Sequence, residues 1–600
     1  MNTMTIPHSF IETVNKRLLN KALGKKINGE YQYLNFKEVL ERVNYFSSAI
    51  IELGIKPQDK ISIMSENCIE WMITDIGTLS TGALDVPIYP SLTSIQVEYL
   101  LKDSKAKGIV VSGDKHYQKV IKSLENLTDL EFIIYINDVE KVENSKIQMF
   151  KFDEILELGK QNLEKNKDEM QKRLSELNED DVCSIIYTSG TEGIPKGVML
   201  SHKNFISNAR ACASVGNITS EYLELSFLPL SHVLERVVHY AIMVICGGAI
   251  AYAESMETIS QNLLEVKPTI VTSVPRIFEK MYLKIMDEIN SSSPTKQRIF
   301  KWAIRKGKEY YEANRYKKGL SFLLELKYKI ADKLVFSKIK EKTGGNIIIF
   351  VSGGAPISKE IIKFFTYIGL PVLEGYGLTE SSPVIALSGI NTIKFGSIGK
   401  VLPNVQVKIA EDGEILAKGP NIMKGYYNNP DATAEVIDKD GWLHTGDIGE
   451  LDSENYLKIT DRKKDIIVMS NGKNVAPQNV ENILKASKYI EQVAVVGNNR
   501  KYVSALIIPN YDNLLEKAKE LGINIDDKEK LSHEPKIRDF MRKEIDEVSK
   551  DKLAQFEQIK TFTILFKSFT LENNEITPTL KLKRNIIASN YSDLIDSMYT

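Results

Sequence analysis

The stretch YTSGTEGIPKGVMLSH, Tyr187 to His202, gathers in one turn the donors that an anion needs. Thr188, Ser189 and Thr191 offer hydroxyls, and Gly190 and Gly193 let backbone N–H groups curl toward a bound oxyanion. Lys196 adds a fixed positive charge, with Pro195 stiffening the exit. The chemistry such a set supports is the cradling of a polyphosphate. A Walker-type loop is excluded, because Gly-Lys would have to be followed by Ser or Thr, and Lys196 is followed by Gly197. Glu192 places a carboxylate in the same loop, where it either pairs with Lys196 or points to solvent.

Five further segments could carry chemistry. VSGGAP (351–356) is a Gly turn through which backbone can approach a flat ring, and EGYGLTE (374–380) combines an aromatic, a hydroxyl and a carboxylate after an expected strand. EGYGLTE lacks the third Gly of a dinucleotide fingerprint. LHTGD (443–447) and DRKKD (461–465) supply three further carboxylates and an Arg, and the tail carries ITPTLKLKR (576–584).

The elements that position these segments follow from periodicity. CSIIY before the phosphate loop and GVMLSH after it read as strands. From Leu34 to about Ile250, helical and strand patterns alternate, which implies parallel sheets with crossover helices. VVHYAIMVICGGAIAYA, from Val237, contains His239 and a Gly247-Gly248 break, so it reads as a buried helix, turn and strand and not a membrane span. Beyond Tyr456 the pattern changes to short strands, a Gly loop and Lys-rich helices, a small α+β module of about 140 residues. The expected organisation is therefore α/β, with a large domain over 1–460 and a small one over 461–600.

The ordered TSGTxGxPKG string and the five segments, in register over nearly the whole chain, resemble the adenylate-forming (AMP-binding) superfamily. LPLSHVLERV (228–237), TSVPRIFEKMY (272–282) and the basic helical stretch after them resemble its long-chain fatty acid–CoA ligases. The resemblance implies the adenylate-forming fold, a large domain of mixed sheets with a mobile C-terminal domain. It implies ATP-driven activation of a fatty acid to an acyl-adenylate, with Mg²⁺, and transfer to CoA. On this chain, residues Thr188 to Lys196 would hold the β- and γ-phosphates. Tyr376, with the neighbouring Gly377, would face adenine, with Gly354 and Ala355 on its other side. Thr379 would donate to the α-phosphate, Glu380 would ligate Mg²⁺, and Asp447 and Arg462 would hold ribose. Lys581 would be the catalytic lysine, three residues before Arg584. The family's longer lead-in is shortened here to Pro578-Thr-Leu-Lys, which keeps Lys583 as a rival. His232 would sit at the acyl-pocket mouth, Lys464 would be the hinge, and Gly472 would line the pantetheine channel.

Bulk properties bound the alternatives. Six hundred residues exceed one core. A hydrophobic content of 43% and a charged content of 26% describe an ordinary soluble globular protein. A net charge of -1 argues against a nucleic-acid partner. Cys68, Cys183, Cys212 and Cys246 form no ligand-spaced cluster, which suits a reducing compartment, and the N-terminus lacks a secretory signal, so a cytoplasmic protein is expected. Between about Ser291 and Thr343, Lys and Arg heavily outnumber Asp and Glu. The plainer reading is a pair of helices with solvated faces. The sharper one is peripheral association with the inner face of a membrane. An acyl-carrier protein as acceptor, release of free acyl-adenylate, a luciferase-like oxygenase and a non-enzymatic membrane scaffold remain alternatives. Oligomeric state, a homodimer included, and chain-length preference stay open.

Overall fold

The computed structural model describes residues 5–141, 147–188, 195–315, 321–470, 473–550, 552–577 and 581–600. Ser189, Gly190, Thr191, Glu192, Gly193, Gly472 and Pro578 lie outside the described residues.

The alternating apolar runs fold into two large sheets. One has eight strands and contains the two strands that flank the phosphate loop, Val182–Thr188 and Lys196–Ser201. These two pair antiparallel, Thr188 opposite Lys196, and Lys196–Ser201 also pairs antiparallel with Gly425–Tyr426 at the edge of a sheet that is parallel elsewhere. The alternation between Leu34 and about Ile250 implied parallel sheets, from which the pair flanking the phosphate loop departs; another hairpin, Lys21–Ile27 with Glu30–Asn35, begins before that region. In both places a short connection replaces the crossover helix that parallel pairing requires.

The other sheet has thirteen strands. Leu223–Ser226, Ala249–Tyr252, Ile270–Ser273, Ile349–Ser352 and Val372–Gly377 run parallel, and beyond them the sheet continues antiparallel through Val384–Leu387. Val372–Gly377 is thus the strand at which the topology switches, and loops at the carboxyl ends of such strands form crevices for ligands. EGYG was expected after a strand; Glu374 to Gly377 form its last four residues instead. Gly377 is glycine for a packing reason, since a Cβ there would lie 1.6 Å from the Pro383 carbonyl oxygen.

The apolar run from Val237 becomes a helix, Val233–His239, a π-helical turn and the strand Ala249–Tyr252. Arg236 on this helix is fully buried and joins the sheets. Its guanidinium donates to Asp75 at 2.6 Å, to Asp85 and to Ser184 at 2.8 Å, and its Nε donates to Tyr240 at 2.7 Å. Removing one partner of such a buried network costs about 3–5 kcal/mol.

The strand Tyr456–Arg462 pairs with Leu443–Leu451, so the thirteen-stranded sheet runs two residues past the expected division at 460. A separate core follows, built from a three-stranded sheet (Ile490–Val496, Ser504–Pro509, Thr561–Ile564) under the helices Pro477–Leu484, Tyr511–Glu520 and Pro535–Ser549. The last of these stops at Ser549. Among the described residues, no helix is long and apolar enough to cross a membrane.

Candidate active site

Tyr376, in the switch strand, donates its hydroxyl to Asp447 Oδ2 at 2.7 Å. Asp447 faces Arg462 across the neighbouring strand pair, with Arg462 Nε 3.4 Å from its Oδ1. Burial raises the Asp447 carboxyl above its ordinary range, and Arg462 and Tyr376 oppose that shift by stabilising the carboxylate. The turn that presents Asp447 is held by a residue the sequence did not flag. Glu414 accepts from the Gly446 backbone N–H at 2.9 Å and from Lys463 at 3.0 Å.

Gly354 and Ala355 lie exposed at the carboxyl end of Ile349–Ser352. Gly354 has φ +81°, and no atom lies within 4 Å of where its Cβ would be, so this turn faces open space. Thr379 opens a short 3₁₀ turn with Glu380 as its second residue. Glu380 accepts from the Tyr426 hydroxyl at 2.8 Å, and the Lys196 ammonium sits 5.2 Å from the Tyr426 ring centre. Tyr426 thereby connects the phosphate-loop lysine with the carboxylate expected at a metal. It belongs to a two-residue strand paired with Lys196–Ser201, and no motif around it revealed this.

Lys581 comes from the C-terminal tail. Its backbone N–H donates to Thr577 Oγ1 at 3.1 Å, its carbonyl accepts from the Thr577 N–H at 2.8 Å, and Ile576 bridges Leu582. The Lys581 ammonium interacts electrostatically with Arg462, Asp447 and Glu380 of the large domain. Burial first, and then Arg462, lower its pKa to about 8, against the pull of the two carboxylates. Lys583 goes elsewhere, donating to Asn574. Arg584 points away as well, gripping Glu481 with two hydrogen bonds of 2.6 and 2.8 Å and thus fixing the tail to its own module. Lys583 is the N-cap of the following helix, which starts at Arg584, whereas Lys581 lies two residues before that cap.

His232 caps the helix Val233–His239, its Nδ1 accepting from the Leu234 N–H at 3.2 Å. Burial, and next the charge of Lys581, depress it to about 4, so it is neutral at pH 7. Lys464 is exposed in the turn after Arg462. Its neighbours face opposite ways: Lys463 pairs with Asp412 at 2.5 Å in the large sheet, and Asp465 lies 3.7 Å from Arg584 in the small module.

Tyr376, Asp447, Arg462, Glu380 and Lys581 are thus brought together from both cores. Residues 12–427 match the model of the AMP-binding enzyme family, and 464–600 match that of the AMP-binding enzyme C-terminal domain. The chain belongs to this family. Among its curated relatives, the long-chain-fatty-acid–CoA ligase FadD15 of Mycobacterium bovis is 34% identical, over 96% of this chain and 93% of the relative. The long chain acyl-CoA synthetase 3 of Arabidopsis thaliana is 31% identical over 98% and 91% of the two chains. The adenylation domain of a carboxylate reductase from Mycobacterium chelonae superposes with a TM-score of 0.78 at 20% identity, covering 99% of this chain and 91% of that one. That likeness establishes the adenylate-forming fold, as expected from the sequence.

Proposed function

We propose that this AMP-binding enzyme is an AMP-forming long-chain fatty acid–CoA ligase. A carboxylate oxygen attacks the α-phosphorus of ATP, the bond to pyrophosphate breaks, and acyl-adenylate forms. A CoA thiolate then attacks the acyl carbon, and AMP leaves with the electron pair. The long-chain substrate class and the CoA acceptor are supported by the names of relatives at 30–34% identity across most of the chain.

The observation that carries the site reading is the approach of Lys581, from the small module, to Asp447, Arg462 and Glu380 of the large one. Two anions must meet for adenylation, and a preorganised ammonium between them offsets their repulsion. In our reading Lys581 bridges the carboxylate and the α-phosphate, Thr379 donates to that phosphate, and Thr188 to Lys196 hold the outer phosphates. Adenine lies on Tyr376 with Gly354 and Ala355 opposite, Asp447 and Arg462 hold ribose, and neutral His232 guards the acyl entrance. Gly377 supports the ring wall through its packing and not through contact of its own. The donor set suits Mg²⁺, which takes one or two carboxylates plus substrate phosphates. Glu380, oriented by Tyr426, would hold the ion, which would neutralise phosphate charge when bound.

For the second half-reaction, the module 461–600 rotates about Lys464, withdrawing Lys581 and bringing Gly472 to the thiol's path. The test is pyrophosphate release across fatty acids of graded length, with CoA or an acyl-carrier protein as acceptor. Release without a long-chain preference, or transfer to carrier protein alone, would overturn the reading.

A peripheral membrane contact at the cytoplasmic face is the finer part of this proposal. Residues 291–343 hold fifteen Lys or Arg against five Asp or Glu. Phe322, Leu326, Ile330 and Leu334, at four-residue intervals, are exposed together with Leu323. A basic helix with an apolar stripe suits an anionic lipid surface. Co-sedimentation with anionic vesicles, lost in Phe322→Ser/Leu326→Ser, is the expected outcome; equal recovery with neutral vesicles would contradict it.

A further inference from the structure

Helix Val233–His239 carries two buried polar clusters. Arg236 faces one, in which every charged group has partners. Glu235 and His239, one turn apart, face the other together with Glu224 of the strand Leu223–Ser226. All three of these side chains are buried, at most 1% exposed. Each carboxylate has one oxygen engaged. Thr272 donates to Glu224 Oε1 at 3.0 Å, and Ser226 donates to Glu235 Oε1 at 2.7 Å. The other two oxygens, and His239 Nε2, have no hydrogen-bond partner. His239 Nδ1 lies 3.0 Å from the Glu235 carbonyl and 3.4 Å from Glu224 Oε2. Among the described residues, no Lys or Arg pairs with either carboxylate. One ligand atom from each of the three side chains falls within 4.8 Å of the others.

Buried polar atoms ordinarily find partners, and a buried carboxylate without a cation is costly. Three side chains, each with an unpartnered buried polar atom and each offering a ligand atom within 4.8 Å of the others, form a set that a bound cation would satisfy. We propose that Glu224, Glu235 and His239 bind one divalent transition-metal ion of the zinc class. A mixed oxygen and imidazole set suits such an ion, whereas Mg²⁺ favours oxygens and keeps its waters. Two carboxylates balance its charge. Thr272 and Ser226 then act as outer partners that orient the ligands, and His239 is oriented by the Glu235 carbonyl.

Burial disfavours the charged form of all three groups. Burial raises Glu224 to about 8 and pushes Glu235 well up, with Glu224 adding to the latter, while burial lowers His239 to about 3. Tyr252 stacks on His239 at 5.9 Å, and both it and nearby Cys68 are held neutral by burial; Glu70 is paired with Lys25 at 2.7 Å. Binding would therefore release protons from the two glutamic acids. The ion would tie strand to helix directly behind His232, which caps that same helix, making this a positioning site for the acyl entrance.

The experiment uses the full chain, loaded with Zn²⁺ in excess Mg²⁺ and dialysed, with metal content read by mass spectrometry. We expect about one zinc per chain in the wild type and in Glu380→Gln, and under about a tenth of that in Glu235→Gln and His239→Gln. Zinc should raise the melting temperature of the wild type and leave those two variants unmoved. A wild type that retains no zinc and melts identically with and without it overturns the proposal, as does full retention by both variants. Should the variants not fold, the visible spectrum of the Co²⁺-loaded wild type decides: tetrahedral bands of an oxygen–nitrogen site support it, and their absence overturns it. None of these readouts depends on ligase activity.

Discussion

The two walls of the active site are built differently. Tyr376, Asp447 and Arg462 stand on strands of the thirteen-stranded sheet, Asp447 and Arg462 on adjacent ones, and each is tied to the next by a hydrogen bond or ion pair. Lys581 stands on a short loop of the small module, which is anchored to that module through Arg584 and Glu481. In the proposed reaction the nucleotide is needed in both half-reactions, and its wall belongs to the sheet. The lysine would serve one half-reaction, and it rides on a part joined through the exposed Lys464 turn. Rigidity follows the time for which each group is needed.

Disabling the fixed wall should affect adenylation most. Glu380→Gln removes a charge aimed at the phosphates and should slow fatty-acid-dependent ATP–pyrophosphate exchange about 10²–10³-fold with the fold intact by circular dichroism. Exchange at the wild-type rate would remove Glu380 from the site. Freezing the joint should affect the other half. Lys464→Pro restricts φ, so adenylation persists while CoA transfer falls about 10²-fold and acyl-adenylate accumulates on the enzyme. Parallel changes in both half-reactions would sink the rotation.

Smaller effects sharpen the contrast. Tyr426→Phe removes the hydrogen bond to Glu380. Such a bond to a charged group contributes about 1.5 kcal/mol, roughly tenfold in the exchange rate. A pH series gives the mildest test. Lys581 acts as the ammonium, and its pKa is lowered to about 8, so adenylation should decline several-fold as pH rises through that value. Thioester formation from supplied acyl-adenylate should rise over the same range, since free thiols ionise near 8.5. Profiles of the same slope would contradict the separation of roles.

Much of this site was legible because its groups fall in short strings with fixed order. The phosphate hairpin, EGYGLTE, LHTGD, DRKKD and the tail lysine each announce themselves locally. Tyr426 and Glu414 did not, because their roles arise from pairing between distant strands: Tyr426 reaches back 46 residues and Glu414 forward 32. The spacing to Arg584 pointed to Lys581, with Lys583 as its rival. In the structure Lys581 interacts with Asp447, whereas Lys583 donates to Asn574. The Arg236 network escaped for a similar reason, since four segments supply its partners and none has a motif.

The most direct test of the division of labour is Lys581→Ala with the two half-reactions measured separately. Acyl-adenylate formation from fatty acid and ATP should be abolished, while thioester formation from supplied acyl-adenylate and CoA proceeds at the wild-type rate. Loss of both together, or adenylation that survives in Lys581→Ala and disappears in Lys583→Ala, would contradict the account.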